Sequence, residues 1–149
     1  MADNTTQETP QIDHPKPYAS WESRGWWEGA GRGETVLQRC TKCGLVQHKP
    51  RGVCAHCLTD EHQEHFVASG RGTVYTYTVT NQNQAKGFAE ACPYVMAYVD
   101  LEEGPRVLTN IVGCDPSTVT IGMPVVADFV SQERSDGEAF AVPVFRPAG

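Results

Sequence analysis

The sequence predicts a mainly β protein with a short helical arm, a small metal-binding ribbon and a five-stranded barrel. Two observations lead to this prediction. Four cysteines form two CxxC pairs separated by ten residues, and five stretches after residue 70 have the pattern of β-strands. A chain of 149 residues is long enough for one domain, or for two small ones with a modest core.

The N-terminal part of the chain divides into a tail and an arm. Residues 1–17 are polar and contain three prolines, which predicts a disordered tail. In the arm, residues 18–34, Ser20 is a suitable cap for a helix over 21–28, and glycines at 29, 31 and 33 would end it. The arm contains all the tryptophans of the chain, Trp21, Trp26 and Trp27. They either anchor the arm on its own ribbon or fill a pocket on a partner, because tryptophan is enriched at binding hot spots.

Residues 35–69 form the predicted zinc ribbon. Its candidate ligands are Cys40, Cys43, Cys54 and Cys57. Two CxxC turns can place four sulfurs around Zn²⁺ at roughly 2.3 Å, and four thiolates leave no open position for a substrate, so a bound zinc would be structural. Gly44 follows the first pair and Leu58 follows the second, so the two turns should differ. The histidines around the ribbon are rival ligands, His56 foremost; the others are His48, His62 and His65.

Residues 70–149 form the predicted barrel. In the first strand, residues 72–80, alternation predicts Tyr75, Tyr77 and Val79 on one face, and Val74 with two threonines on the other. The next strands are expected at 94–101, 106–113, 123–130 and 139–146. A brief helical turn at 115–119, capped by Asp115, separates the third strand from the fourth. This order is typical of an OB-fold barrel.

One long connection, residues 81–93, interrupts the barrel. Long loops in small domains are often functional, and this one contains Lys86, Gly87 and Phe88. Lys86 could pair with a phosphate while Phe88 lines an apolar groove. The alternative is an ordinary surface loop.

The charge pattern argues against nucleic acid, and the hydropathy pattern argues against a membrane span. The chain has a net charge of −6. Residues 32–51 carry five basic residues and one acid, a charge of +4, whereas the part from residue 72 onward has four basic residues and nine acids, a charge of −5. The second part would repel phosphates. There is no apolar stretch of membrane-spanning length and no secretory signal, so a cytoplasmic location with reduced cysteines is expected.

The order of these motifs resembles a known family of small acyl-CoA-associated proteins. The matching segments are the tryptophan-bearing arm, RCTKCG, PRGVCAHC, SGRGTVYTYT, PYVMAYVDLEEGPRVLTN and IGMPVVADF, over about residues 18–130. Members of this family join a rubredoxin-like zinc ribbon to an OB fold. They are accessory subunits of thiolases, thiolase-like aldolases, archaeal hydroxymethylglutaryl-CoA synthases and hotdog-fold enoyl-CoA hydratases. The small subunit of benzoylsuccinyl-CoA thiolase, which acts in aromatic degradation, is one example, and steroid degradation is another setting.

The resemblance implies a function for this chain. It would be a non-catalytic small subunit in a hetero-oligomer whose larger, thiolase-fold subunit cleaves a β-ketoacyl- or hydroxyacyl-CoA. The resemblance carries the metal-ligand role over to the four ribbon cysteines and places a CoA or partner contact around 86–93. Candidate cations for the CoA phosphates are Lys49, Arg51, Arg71 and Lys86. Acyl-CoA would be a ligand shared with the partner.

The residues themselves indicate no catalytic machinery. Thioester chemistry of this kind needs a cysteine with a general base and an oxyanion hole. The cysteines outside the ribbon are Cys92 and Cys114, and all five histidines precede residue 66. A packing role is expected for both cysteines.

Two alternatives remain at this level. A zinc ribbon and an OB fold both occur in nucleic-acid-binding modules, and Tyr75 and Tyr77 could stack on bases. Four cysteines can also hold iron, which would make the chain a one-electron carrier.

Overall fold

The described part of the chain is mainly β, as predicted. The computed structural model of the protein describes residues 11–133 and 136–149. Its helix is α1 (Arg24–Gly31), and its strands are β1 (Val36–Cys40), β2 (Val46–Gln47), β3 (Gln63–Val67), β4 (Arg71–Thr80), β5 (Tyr94–Leu101), β6 (Arg106–Ile111), β7 (Pro124–Glu133) and β8 (Ala139–Pro147). Within these residues, no helix has the length and apolar character needed to cross a bilayer.

Helix α1 begins three residues later than predicted. Ser20 does not act as its cap, because its hydroxyl pairs with the hydroxyl of Ser23 (3.1 Å), and the first helical bond runs from Trp27 N to Ser23 O (3.2 Å). Gly29 lies inside the helix rather than ending it. A Cβ there would stand 2.4 Å from Val36 Cγ2, so glycine allows the helix to approach β1 closely.

The ribbon is a three-stranded antiparallel sheet with the order β2-β1-β3. Strand β1 pairs along its length with β3, from Val36 opposite Val67 to Cys40 opposite Gln63. On its other side it makes a short ladder with β2, in which Gln38 stands opposite Gln47. The first CxxC turn therefore lies at the end of β1, and the second lies in the loop between β2 and β3.

The barrel is closed, with the strand order β4-β5-β6-β8-β7. All neighbours are antiparallel except β6 and β8, which pair in parallel at Ile111 and Phe145. The predicted turn between β6 and β7 is a 3₁₀ turn, Pro116–Thr118, whose cap Asp115 accepts a hydrogen bond from Ser117 N (2.8 Å). The OB-fold prediction is confirmed.

A bulge in β4 changes the predicted faces of that strand. The register against β5 shifts between Val74 and Thr76. As a result Val74, Tyr77 and Val79 pack in or against the core, while Tyr75 faces solvent. The prediction that Tyr75 and Tyr77 share a face is wrong, because one extra residue in a strand reverses the alternation beyond it.

One continuous core joins the arm, the ribbon and the barrel. Trp26 of α1 is 9% exposed, and together with Leu37 of β1 it belongs to the same apolar cluster as the inward-facing barrel side chains. The barrel contributes Val74, Val95, Ala97, Val99, Leu101, Val107, Ile111, Val125 and Phe145 to this cluster. Helix α1 contacts β1 on one side and β7 and β8 on the other. The ribbon is therefore fixed to the barrel through α1.

The N-terminal segment, residues 11–17, differs from the predicted disorder. Ile12 is only 5% exposed. Asp13 N donates to Gly87 O (3.0 Å), His14 N donates to the Gln132 side chain (3.0 Å), and Lys16 forms an ion pair with Glu138. These contacts tie the segment to the loop after β4 and to the β7–β8 hairpin. Residues 1–10 of the predicted tail lie outside the described residues.

Candidate metal centre and exposed surfaces

The two CxxC turns of the ribbon have the same backbone hydrogen bonds. In the first turn Gly44 N donates to Cys40 O (2.8 Å), and Cys40 N donates to Leu45 O (2.9 Å). In the second turn Leu58 N donates to Cys54 O, and Cys54 N donates to Thr59 O, both at 2.9 Å. The residue after each pair has a left-handed backbone, with φ of +77° at Gly44 and +59° at Leu58. We call these turns knuckle 1 (residues 40–45) and knuckle 2 (residues 54–59).

The four cysteine sulfurs converge on one point. All four Sγ atoms lie within 4.8 Å of one another, with 3.6 Å between Cys43 and Cys54 and 3.9 Å between Cys40 and Cys57. Sulfur ligands at about 2.3 Å from a tetrahedral zinc ion stand roughly 3.8 Å apart. The cluster therefore has the dimensions of a closed Cys₄ metal site, and the four cysteines are positioned to bind a metal.

The electrostatics of the cluster favour a cation at its centre. The hydrogen bond from Cys57 N to Cys54 Sγ (3.4 Å) is the first cause that lowers the pKa of Cys54 to about 7. The neighbouring thiol of Cys43 is the main cause that raises the pKa of Cys57 to about 12. The Cys54 thiol thus ionises readily, because backbone N–H donors stabilise its thiolate, whereas the Cys57 thiol resists ionisation, because hydrogen bonds with the other ribbon thiols and desolvation disfavour its thiolate. A bound divalent cation reverses this resistance.

Histidines are not part of this cluster within the described residues. His56 is exposed, and its Nδ1 lies 3.9 Å from Cys57 Sγ. His48 is partly buried, and its ring centroid is 4.4 Å from that of Trp26. The four cysteines, in a rubredoxin-like arrangement, therefore account for the candidate metal site without a histidine.

A pair of buried glutamines, which the sequence reasoning missed, supports knuckle 2. Gln38 accepts from Arg51 N (2.9 Å) and donates to Arg51 O (2.7 Å), which fixes the loop before the knuckle. Gln47 donates to Gln38 Oε1 (2.7 Å) and accepts from Ala55 N (3.1 Å). The signal in the sequence is a polar residue at an inward-facing position of each paired strand. Such a residue needs a buried partner.

The predicted CoA-binding cations do not form one cluster. Lys49 and Arg51 lie on the ribbon loop, whereas Arg71 and Lys86 stand at opposite ends of β4. A strand of ten residues is on the order of 30 Å long, so no single phosphate group can contact both. Arg71 also lines an open cleft of about 490 Å³ together with two acids, Asp100 and Glu102. These acids make its surroundings unfavourable for a phosphate.

The loop after β4 packs against the N-terminal segment. The Phe88 ring contacts His14 edge-on, with 5.6 Å between ring centroids, and lies 6.1 Å from the Tyr94 ring. Gly87 has φ of +85°, and a Cβ there would stand 2.4 Å from Asp13 O. Lys86 is exposed. Of the three loop residues predicted to contact CoA or a partner, only Lys86 points freely to solvent.

The outer face of the barrel on β4, β5 and β6 exposes a group of large apolar side chains. We call this group, Tyr75, Met96, Tyr98 and Leu108, the outer face. Tyr98 and Leu108 are direct partners on neighbouring strands. At one edge the Arg106 guanidinium lies 3.2 Å from the Tyr75 ring centroid and pairs with Asp100 (Nε–Oδ1 2.6 Å). An apolar group of this kind on a sheet face is typical of a contact surface.

Comparison with known proteins assigns the family. Residues 27–63 match the family model described as the ChsH2 rubredoxin-like zinc ribbon domain, and residues 67–130 match the ChsH2 C-terminal OB-fold domain. A DUF35 domain-containing scaffold protein of Methanocaldococcus jannaschii is 41% identical over 116 residues, which cover 76% of this chain and 82% of that protein. The chain belongs to the DUF35 family. The fold and the family resemblance predicted from the sequence are both confirmed.

A solved structure of a DUF35 protein extends this result. The chain is 36% identical to a chain in a structure described as Ltp2-ChsH2(DUF35) aldolase, with a TM-score of 0.78 over 90% of this chain and all of that chain. The benzoylsuccinyl-CoA thiolase subunit BbsA of Geobacter metallireducens is 39% identical over 75 residues, which cover half of this chain and 48% of that one.

Some DUF35 relatives are much longer than this chain. The probable enoyl-CoA hydratase alpha subunit of Thermomonospora curvata is 38% identical over 143 residues, which cover 96% of this chain. The chain spans only 43% of the length of that relative.

Proposed function

We propose that this chain is the non-catalytic small subunit of a thiolase- or aldolase-type acyl-CoA complex. In that complex a larger subunit cleaves a carbon–carbon bond of a β-ketoacyl- or hydroxyacyl-CoA, and the DUF35 chain stabilises it and helps to bind the thioester. The observation that carries this proposal is the likeness to the whole DUF35 chain of the Ltp2-ChsH2 aldolase structure. The name of the thiolase subunit relative supports the same class of complex, and the name of the hydratase relative supports an acyl-CoA enzyme in the wider sense.

The metal centre supports a structural role for the ribbon in this proposal. All four ligands would come from this chain, so the coordination sphere of a tetrahedral ion is complete without a substrate. Bound zinc would hold the two knuckles together and stabilise a ribbon whose own sheet has only three short strands. The residues that hold it are Cys40, Cys43, Cys54 and Cys57.

The outer face supports a partner. Its four large side chains are 41–54% exposed, and association with a second protein would remove this area from water. The acidic character of the barrel opposes nucleic acid at this face. Base stacking by a tyrosine pair has also lost its support, because Tyr77 packs against the core.

The experiment that tests the proposal is purification of the tagged chain from its own host under native conditions. We expect a larger acyl-CoA enzyme to copurify in fixed ratio, and that enzyme to lose activity when the small chain is removed. The proposal fails if the chain elutes alone on gel filtration while its candidate partner is fully active without it. It also fails if the isolated chain cleaves or condenses acyl thioesters by itself.

Within the proposed complex, Lys49 and Arg51 are the best placed candidates to contact CoA phosphates. Both are exposed, they are two residues apart, and the Gln38 side chain fixes the Arg51 backbone from both sides. We expect the double variant K49E/R51E to raise KM for the acyl-CoA about tenfold at unchanged kcat, because the pair contributes to binding and not to chemistry.

The comparison variant for that prediction is K86E, which tests the other candidate contact, on the loop that follows β4. It reverses a single exposed charge, and we expect KM to change by less than about twofold, within the range of a solvated surface charge. Steady-state kinetics of the reconstituted complex gives both constants. An unchanged KM in K49E/R51E would remove the ribbon loop from the CoA site.

A further inference from the structure

The two knuckles are alike in backbone and differ at one position. Gly44 and Leu58 occupy the same place, after the second cysteine, with the same hydrogen bond back to the first cysteine. Both have a left-handed backbone, φ +77° and +59°. Glycine adopts this conformation without a steric penalty, whereas a leucine Cβ approaches the following carbonyl oxygen too closely. Leu58 is the single non-glycine residue with positive φ among the described residues.

The side chain of Leu58 gains little from its own chain. It is 77% exposed, more than any other large apolar side chain in the described residues except Tyr18. It does not belong to the core cluster or to the side chains packed against it. Knuckle 2 thus has a leucine at a left-handed backbone position where knuckle 1 has a glycine, which suits that position better. The fold of the free chain does not explain the leucine.

The chain segment that directly follows knuckle 2 is acidic. Ala55 and His56 are exposed on the same knuckle, and Asp60 and Glu61 are exposed directly after it. No ion pair joins either of these carboxylates to another residue in the described ranges. A surface of this charge repels phosphate groups and complements cationic side chains.

We propose that Leu58 is an anchor at the interface with the larger subunit, where it enters an apolar pocket with a rim of lysine or arginine side chains. The inference rests on the proposed function, since it takes the larger subunit as the occupant. Burial of one leucine side chain in such a pocket offsets its backbone penalty and contributes to affinity. The two carboxylates beside it orient the encounter.

The test uses three variants of the full, zinc-loaded chain. L58G removes the side chain and relieves the backbone, L58N keeps a similar size in a residue that tolerates the left-handed region, and L58M keeps an apolar side chain. Binding is measured by isothermal titration with the larger subunit that copurifies with the wild type, and with Ltp2 as a second probe. We expect L58G and L58N to bind roughly 10- to 100-fold more weakly, and L58M to bind within about threefold of wild type.

A second measurement does not depend on the partner. In the free chain, L58G should keep its zinc content and melt at the same temperature as the wild type or above it. A midpoint several degrees lower would show that Leu58 stabilises the free fold, which would overturn the inference. Sedimentation that shows a wild-type dimer and an L58G monomer would also overturn it, in favour of a second copy of this chain as the occupant.

The outcomes separate this inference from the proposed function. If the wild type binds no larger acyl-CoA enzyme, the proposed function fails and the inference fails with it. If the wild type binds and L58G binds equally well, only the role of Leu58 is refuted.

Discussion

At the scale of single residues, His48 is a partly buried base whose Nδ1 atom is buried without a hydrogen bond in the described part of the chain. Its ring lies against Trp26. Burial lowers the pKa of His48 to about 4, and the nearby Lys49 adds to the effect. The neutral imidazole is therefore part of the contact between helix α1 and the ribbon.

This imidazole should make the stability of the fold depend on pH. Between about pH 4 and pH 6.5 the unfolded chain binds a proton at His48 and the folded chain does not, so the free energy of unfolding falls as the pH falls. From pH 7 to pH 5 we expect a loss of about 2 kcal/mol that H48F does not show. Urea unfolding at both pH values measures it, with zinc content determined in parallel. An equal fall in the free energy of unfolding of H48F between pH 7 and pH 5 would show that a group other than His48 titrates.

The sequence alone did not predict which face of β4 Tyr75 occupies. Alternation placed it beside Tyr77, and the bulge after Val74 placed it outside instead. A bulge depends on how two strands register against each other, and that information is absent from either strand alone. The cysteines were predictable because ligand spacing is a local property of the sequence.

At the scale of elements, we expect the ribbon to depend on a bound metal ion. Three short strands give it few apolar contacts of its own, and bound zinc in such sites contributes on the order of 10–16 kcal/mol. We expect C40S to release the metal, to unfold the ribbon and to abolish assembly with the larger subunit. The barrel, which has its own closed ladder, should keep most of its secondary structure.

The matched control for C40S is C92S. Cys92 lies outside the ribbon, and its thiol hydrogen-bonds to Phe88 O. C92S should retain one metal ion per chain. Metal analysis separates zinc from iron at the same time, and a red, iron-loaded wild type would replace the zinc assignment. A C40S chain that assembles normally but turns over slowly would give the metal a catalytic role.

The boundaries of the elements could be predicted from the sequence to within a few residues. The side-chain hydrogen bonds that hold the elements in place could not. The five barrel strands and the 3₁₀ turn lie where their patterns place them. The glutamine pair that fixes the loop before knuckle 2 was missed, because Gln38 and Gln47 are separated by the whole of knuckle 1 and meet only in the sheet. The start of α1 was missed because the Ser20 hydroxyl bonds to Ser23 in the turn before the helix, and the helix starts only after Ser23.

At the scale of the whole molecule, Trp26 joins the two matched domains. It contributes its indole to a cluster that includes Leu37 of the ribbon and the valines of the barrel. We expect W26A to lower the free energy of unfolding by about 3–5 kcal/mol, the usual effect of removing a buried aromatic side chain. Far-UV circular dichroism in urea measures the loss without relying on tryptophan fluorescence.

The control for W26A is W21A. Trp21 is 70% exposed and lies over Gly52, with its Cη2 atom 2.6 Å from the position of an added Cβ. Its removal should lower the free energy of unfolding by less than about 1 kcal/mol. Equal losses of unfolding free energy in W26A and W21A would mean that Trp26 does not connect the ribbon to the barrel.

The arrangement of the domains was the least predictable part of the molecule. The sequence left open whether the tryptophans anchor the arm on its own ribbon or fill a pocket on a partner, and Trp26 is buried in a core that the ribbon shares with the barrel. Composition suggested a disordered start, yet Ile12 is buried and Asp13 is bonded to Gly87. Both outcomes depend on surfaces that form only when the barrel closes. The local pattern of polar and apolar residues carries no information about such surfaces.

The shared core also limits how members of this family can exchange parts. A chimera that took residues 27–63 from one relative and 67–130 from another would follow the boundaries of the matched domains. Trp26 lies directly before the first matched domain, so such a chimera cuts helix α1 and parts the indole either from Leu37 or from the barrel valines it packs against. Recombination at those boundaries should give misfolded hybrids unless helix α1 travels with the barrel side chains it was selected to fit.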